Sequence, residues 1–213
     1  MTILQPLKIP HLITRKFLSL TQSTTTSLTE RRLIGFSAKQ MYNIVANVQE
    51  YRKFVPWVID SQIIRMERYN DKSNTEAQLT VGFQSIHESY ISKVNSIENK
   101  SVEANASQSK LFNLLKNKWI FHPAPKVPIP HHHHLMKQYE LLDNQTPDDY
   151  PCCYVDFHVE FQFKSLLHAQ LSDLFFEKSV KMMVLAFENR AKELYGTPSR
   201  PSVKVPIPKK LKF

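Results

Sequence analysis

Residues 154–164 read YVDFHVEFQFK, and their alternation decides the class of fold. Val155, Phe157, Val159, Phe161 and Phe163 fall on one side of an extended chain, and Asp156, His158, Glu160, Gln162 and Lys164 on the other. This period of two predicts a strand of an antiparallel sheet, with one wet face and one face carrying a row of phenylalanines. Further along, the repeat changes. Phe176, Val180, Met183, Val184, Phe187, Ala191 and Leu194 recur in steps of three and four, which predicts an amphipathic helix over Gln170–Tyr195, roughly 40 Å long at about 1.5 Å per residue. Gly196 and Pro198 stop it. Upstream, shorter alternating stretches predict more strands at Ile63–Tyr69, Ala77–Phe83, His87–Val94 and Ser101–Ala106. A long helix laid across an aromatic-lined sheet leaves either a filled core or a cavity, and periodicity alone does not choose between them.

Before these strands, Ser37 and Gln40 form an S-x-x-Q capping box. Met41, Ile44, Val45 and Val48 follow at helical spacing, so this helix buries one face. A second helical turn at Gln49–Phe54 runs into Pro56, which disfavours helical geometry at Val55. The order is therefore strand, helices, several antiparallel strands, long helix, an α+β domain. The corner "FVPW", Phe54 to Trp57, concentrates two aromatics and a proline and reads either as a core plug or as the guard of an apolar cavity.

The 213-residue chain carries a formal charge of +9 with 42% hydrophobic residues. All 19 acidic residues lie between Glu30 and Glu193. Lys8, Arg15 and Lys16 in the leader, with Arg200, Lys204, Lys209, Lys210 and Lys212 in the tail, supply eight of the nine charges. The folded middle is near neutral, so no nucleic-acid face is indicated; the basic tails suit acidic surfaces or targeting. Residues 1–29 lack Asp and Glu and hold a dense Ser/Thr patch, the composition of a mitochondrial transit segment. That patch, up to Thr29, is set aside from the fold. Residues 30–196 form the domain, interrupted by a Pro/His-rich surface excursion at about 122–151, and residues 197–213 read as a basic flexible tail. "KVPIP" occurs at Lys126–Pro130 and again at Lys204–Pro208, too short a repeat to be a packing unit.

Few residues invite catalysis or metal binding. His131–His134 are consecutive and have no carboxylate placed to orient them, so they do not converge on one tetrahedral centre. His158 and Glu160 form H-x-E, but the order relative to Cys152 and Cys153 is wrong for a zinc deaminase and C-x-x-C is absent. Adjacent cysteines rarely form a disulfide. Three glycines, Gly35, Gly82 and Gly196, build no phosphate-cradling loop. Glu88 and Tyr90 offer an acid and a hydrogen-bonding group on one strand face.

The blocks ERRLIGFSAKQMYNIVANVQEYRKFVPW, LTVGF, ESYISKV, LFNLLKNKW, VDFHVEFQFKSLLHAQLSDLFF and MMVLAFENRAKELYG resemble, in order, the mitochondrial coenzyme Q-binding protein family of START or polyketide-cyclase-like domains. The resemblance covers Glu30 to Gly196 apart from the loop insertion. It implies a helix-grip fold, a curved antiparallel sheet wrapped around the long C-terminal helix with an apolar cavity. The implied ligand is ubiquinone, with no other cofactor and no metal. The implied role is a non-enzymatic lipid chaperone at the matrix side of the mitochondrial inner membrane, serving respiratory electron transport and coenzyme Q biosynthesis. Partners would be the membrane surface and the respiratory or quinone-biosynthesis complexes. On this reading Val45, Leu79, Val81, Phe83, Tyr90, Phe112, Leu115, Trp119, Phe157, Phe161, Met183 and Phe187 wall the tunnel, and Glu88 reaches the head group. Phe54, Val55, Pro56 and Trp57, with Arg52 and Lys53, form a mouth that dips into the membrane. Val58 stands where the family resemblance leads one to expect a cysteine. A cyclase or aromatase on the same fold and an adaptor recruiting biosynthetic proteins remain as alternatives.

Overall fold

The computed structural model describes residues 25–83, 86–107, 109–124, 151–164 and 172–208. The leader to residue 24, the His131–His134 run and the first KVPIP copy lie outside the described residues, as do the side chains of Phe83 and Phe176.

Eight antiparallel strands form one sheet: β1 Thr26–Ile34, β2 Val58–Tyr69, β3 Lys72–Phe83, β4 Ile86–Ile97, β5 Ser101–Ser107, β6 Phe112–Pro123, β7 Cys153–Phe163 and β8 Val203–Val205. Their spatial order is β2-β3-β4-β5-β6-β7-β1-β8. Register shifts in β2, after Val58 and after Ile63, and in β6, after Phe112, bend the strands as an extra residue in one partner does. On the concave side lie α1, Ala38–Ala46, a short 3-10 helix at Val48–Lys53, and α2, Ser172–Tyr195.

The capping box forms as the spacing predicts. The Ser37 hydroxyl accepts from Gln40 N–H at 3.2 Å, and the Gln40 side chain accepts from Ser37 N–H at 2.8 Å. Met41, Ile44 and Val45 point into the core. Val180, Val184, Phe187 and Ala191 of α2 are buried, and Gly196, at φ +84°, ends the helix. Leu194 departs from the stripe and is half exposed, in the last turn of α2.

Three other expectations change. The Ser/Thr patch does not lie wholly outside the fold: Thr26–Thr29 begin β1 and pair with Phe161 to His158 of β7. The tail is not flexible throughout: Val203–Val205 pair with Leu33–Arg31 of β1, because β1 would otherwise leave an unpaired edge. The excursion is shorter than expected, since His122 and Pro123 still belong to β6 and pair with Tyr154 and Cys153.

The outward side of β7 is not uniformly wet either. Asp156 is fully buried, held by Arg31 Nε at 2.6 Å and Nη2 at 3.0 Å, with His122 Nε2 at 2.8 Å. β7 lies between β6 and β1, so side chains from both neighbours close over it. His158 bonds Thr29 Oγ1 at 2.7 Å and lies 3.3 Å from Glu160, so the H-x-E sequence makes a strand-face pair.

Candidate ligand-binding site

Among the described residues, two cavities stand out between the concave face and the helices. The larger, about 40 Å³, is lined by Val48, Tyr51, Leu79, Tyr90, Ser92, Val94, Ala104, Ala106, Leu115 and Asn117. The smaller, about 10 Å³, is lined by Ile34, Met41, Trp119, Val155, Phe157, Val184 and Phe187, with Glu30, Arg32 and Glu188 at its polar end. By this measure one water needs about 10–15 Å³, so the first cavity has room for a few waters and the second for about one at most. Strand register explains the larger one. Ala77 pairs with Ser92 and Ser92 with Ala106, while Val94 pairs with Ala104 and Ala104 with Asn117. These short side chains from neighbouring strands meet in the middle of the sheet and hollow it. At the other end Trp119 packs on Phe157 at 4.4 Å and on Phe187 at 4.8 Å between ring centroids, and fills the space.

The expected wall residues separate accordingly. Leu79, Tyr90 and Leu115 line the larger cavity; Trp119, Phe157 and Phe187 line the smaller. Val45 and Phe161 are buried in the surrounding core, and Val81, Phe112 and Met183 pack against it half-buried. The Phe83 side chain lies outside the described residues. Sequence reasoning missed Tyr51, Ser92, Ala104, Ala106 and Asn117. The available signal was the run of small alternate residues in β5, which a search for bulky apolar walls passes over. It also missed Glu30 and Arg32, charges on the inward face of β1.

Those charges neutralise one another. Arg32 pairs with Glu30 and lies 3.4 Å from Glu188, Ser202 donates to Glu188 at 2.7 Å, and Lys204 reaches Glu30 at 3.1 Å. Burial works to raise the Glu30 pKa, but Arg32 and Lys204 outweigh it and hold the carboxyl below its usual range. Lys204 of the basic tail thus pairs with Glu30 from the surface, its own side chain staying exposed. Glu88 is occupied as well: it accepts from the backbone N–H of Lys110 and from Ser109 Oγ, fastening the connection between β5 and β6.

The "FVPW" corner divides. Phe54 is half-buried, edge-on to Phe187 at 5.1 Å, with the Arg190 guanidinium 5.6 Å from its ring centre, so part of its ring plugs the core. Val55 also packs against the core, half-buried, and Pro56 is half-buried. Trp57 is half-buried with φ +63°, a left-handed conformation rare outside glycine, and its carbonyl accepts from Gly82 N–H at 2.8 Å. Arg52 and Lys53 are exposed, with Asp60 at 3.6 Å and Glu50 at 2.7 Å. Of the two thiols, Cys153 is buried, and burial pushes its pKa up to about 12, so it is inert. Among the described residues no helix is long and apolar enough to cross a membrane.

A curved antiparallel sheet gripping one long C-terminal helix, with the apolar space enclosed between them, defines a START-like helix-grip domain. The chain matches the family described as polyketide cyclase/dehydrase and lipid transport over residues 34–188. It is 37% identical to the mitochondrial coenzyme Q-binding protein COQ10 homolog B of Xenopus laevis, across 90% of this chain and 70% of that protein. Among solved structures it is similar to the 18 kDa protein CC1736 of Caulobacter crescentus, with TM-score 0.57 and 23% identity over 82% of this chain and 99% of that one. The Zhui aromatase/cyclase of Streptomyces shares the fold at TM-score 0.57 and 9% identity, over 80% of this chain and 95% of that one. The protein belongs to the coenzyme Q-binding family of START/polyketide-cyclase-like domains.

Proposed function

We propose that this protein binds coenzyme Q in the space between the sheet and α2 and acts as a non-enzymatic lipid chaperone at the mitochondrial inner membrane, in support of respiration and quinone synthesis. The observation that carries this reading is the hollow lined by Ser92, Ala104 and Ala106 in an otherwise aromatic interior, in a chain 37% identical to a relative named for coenzyme Q binding. An isoprenoid tail costs roughly 0.8 kcal/mol per CH₂ exposed to water. A protein that carries one must enclose it. The cavities have room only for waters, so loading requires the partition formed by Tyr51, Phe54 and Phe187 to part. Exposed Arg52 and Lys53 on that helix, beside half-buried Trp57 and exposed Ile59, suit an anionic membrane surface. The ten side chains around the larger cavity include no carboxylate, imidazole or amine, which favours binding over the acid–base chemistry of a cyclase.

Purification of the full chain from mitochondrial membranes in mild detergent, followed by mass spectrometry of the bound lipid, tests this. Stoichiometric ubiquinone is the expected result. An empty protein that also takes up no added ubiquinone would reduce the phenylalanine row to ordinary core.

A further inference from the structure

The larger cavity contains polar groups that nothing among the described residues uses. Tyr90 is 9% and Ser92 3% exposed, both on the inward face of β4, while Asn117 faces the same cavity from β6. Among the described residues, neither hydroxyl nor the Asn117 amide has a hydrogen-bond partner. They look onto the cavity and are not sealed against protein, since the buried side-chain atoms that are sealed without a partner are Asn99 Oδ1 and Arg200 Nε. Asn117 is half-buried; for the two buried hydroxyls, the lack of a partner in an apolar interior costs about 1–3 kcal/mol each. Water or a ligand must offset that.

Their placement selects the ligand. β4 and β6 flank β5, so the two donor-bearing strands are two spacings, about 10 Å, apart. The strand between them presents only Ala104 and Ala106 toward the cavity. The result is a flat, methyl-floored slot with hydrogen-bonding groups on opposite walls. A linear lipid has no use for donors on two sides, whereas a planar six-membered ring with oxygens on opposed edges can accept from both at about 2.8 Å. The groups are neutral, which suits an uncharged ring. The other polar cluster, Glu30–Arg32–Glu188, is already saturated by its own ion pairs and by Ser202 and Lys204.

We infer that the quinone ring lies over Ala104 and Ala106, one oxygen accepting from Tyr90 and Ser92 on β4 and the opposite oxygen from the Asn117 amide on β6, beneath Tyr51. The tail then leaves past Tyr51 and Phe187 toward the short helix. Hydroxyls and the amide carbonyl also accept hydrogen bonds, so the same slot takes the reduced quinol. Burial raises the Tyr90 pKa, which keeps that hydroxyl a donor at every physiological pH. This assignment rests on the quinone-binding reading above.

Equilibrium dialysis of the full chain against two probes tests it: ubiquinone with a two-isoprene tail, and the same tail on an oxygen-free phenyl ring. The Tyr90→Phe/Ser92→Ala protein and the Asn117→Ala protein are compared with the unaltered chain. Each variant is expected to lose about ten-fold in affinity for the quinone, as the loss of one or two hydrogen bonds implies, and to keep its affinity for the phenyl probe. Tyr90→Phe removes a single oxygen, so a second preparation with that change alone guards against a folding defect and is expected to lose about three-fold. Unchanged quinone affinity in the variants, or equal losses for both probes, would overturn the head-group assignment while leaving quinone binding intact. An unaltered chain that binds neither probe would overturn the assignment together with the reading beneath it.

Discussion

Tyr51 and Phe187 meet edge to face with ring centroids 5.4 Å apart. Tyr51 lines the larger cavity and Phe187 the smaller, so this contact between the short helix and α2 is part of the wall between them. Tyr51 is fixed by its hydroxyl, which donates to the Val45 carbonyl. Phe187 is fixed by Phe54 and Trp119.

Replacing Phe187 by Ala joins the two spaces. The empty protein should lose about 3–5 kcal/mol, as large-to-small core changes do, seen as a lower urea midpoint. Saturating ubiquinone should restore part of that loss. A variant as stable as the parent without ligand would mean that Phe187 does not hold the wall.

The buried Asp156 predicts a second loss. Arg31→Ala leaves a carboxylate that is 0% exposed without its two-pronged partner, and breaking such a pair costs about 3–5 kcal/mol. Urea unfolding should register it, while quinone affinity stays unchanged, because Arg31 and Asp156 lie on the face of the sheet opposite the cavity.

The capping box is a smaller test. Ser37→Ala should cost about 1 kcal/mol, and Ser37→Thr should retain most of it. Thermal denaturation of the two variants side by side distinguishes a cap from a packing contact.

Acid should loosen the tail. The folded pKa of Glu30 lies below its ordinary value near 4.5, so the stability it contributes is complete above that value and is lost as pH falls below it through the folded pKa. Protonation removes the ion pair to Lys204, and hydrogen exchange at Val203–Val205, relative to its intrinsic rate at each pH, should accelerate as pH falls through the lowered folded pKa. Lys204→Ala should show that faster exchange already at pH 7. Exchange independent of both would separate β8 from Glu30.

Membrane association should depend on the short helix. Reversing Arg52 and Lys53 to Glu should lower binding to vesicles of anionic phospholipid by thirty-fold or more, at about 1 kcal/mol for each basic residue lost, and 0.5 M salt should weaken the unaltered chain similarly. Trp57→Ala should also weaken association. Vesicle binding indifferent to all three changes would move the membrane face elsewhere.

Much of this was legible in the residues. Alternation in Tyr154–Lys164 determined an antiparallel strand with an aromatic face, the Ser37–Gln40 spacing determined a helix start, and the three-and-four stripe from Val180 to Ala191 determined which side of α2 is buried. These are local signals, fixed by the two backbone periodicities. What lies opposite a side chain is not local. Ala104 is a small strand residue until register sets it between Val94 and Asn117, and only then does it become the floor of a cavity. Nothing local marks Arg32 and Glu30 as inward until β1 enters the sheet between β7 and β8 and turns them toward Glu188. Phe54 has no partner in its own segment that fixes its ring until Phe187, from a helix far along the chain, packs edge-on against it. The sequence by itself determined α1, β7 and α2 and their buried faces. Cross-strand register and helix docking, set by contacts between residues distant in the chain, decided where the space is and which groups look into it.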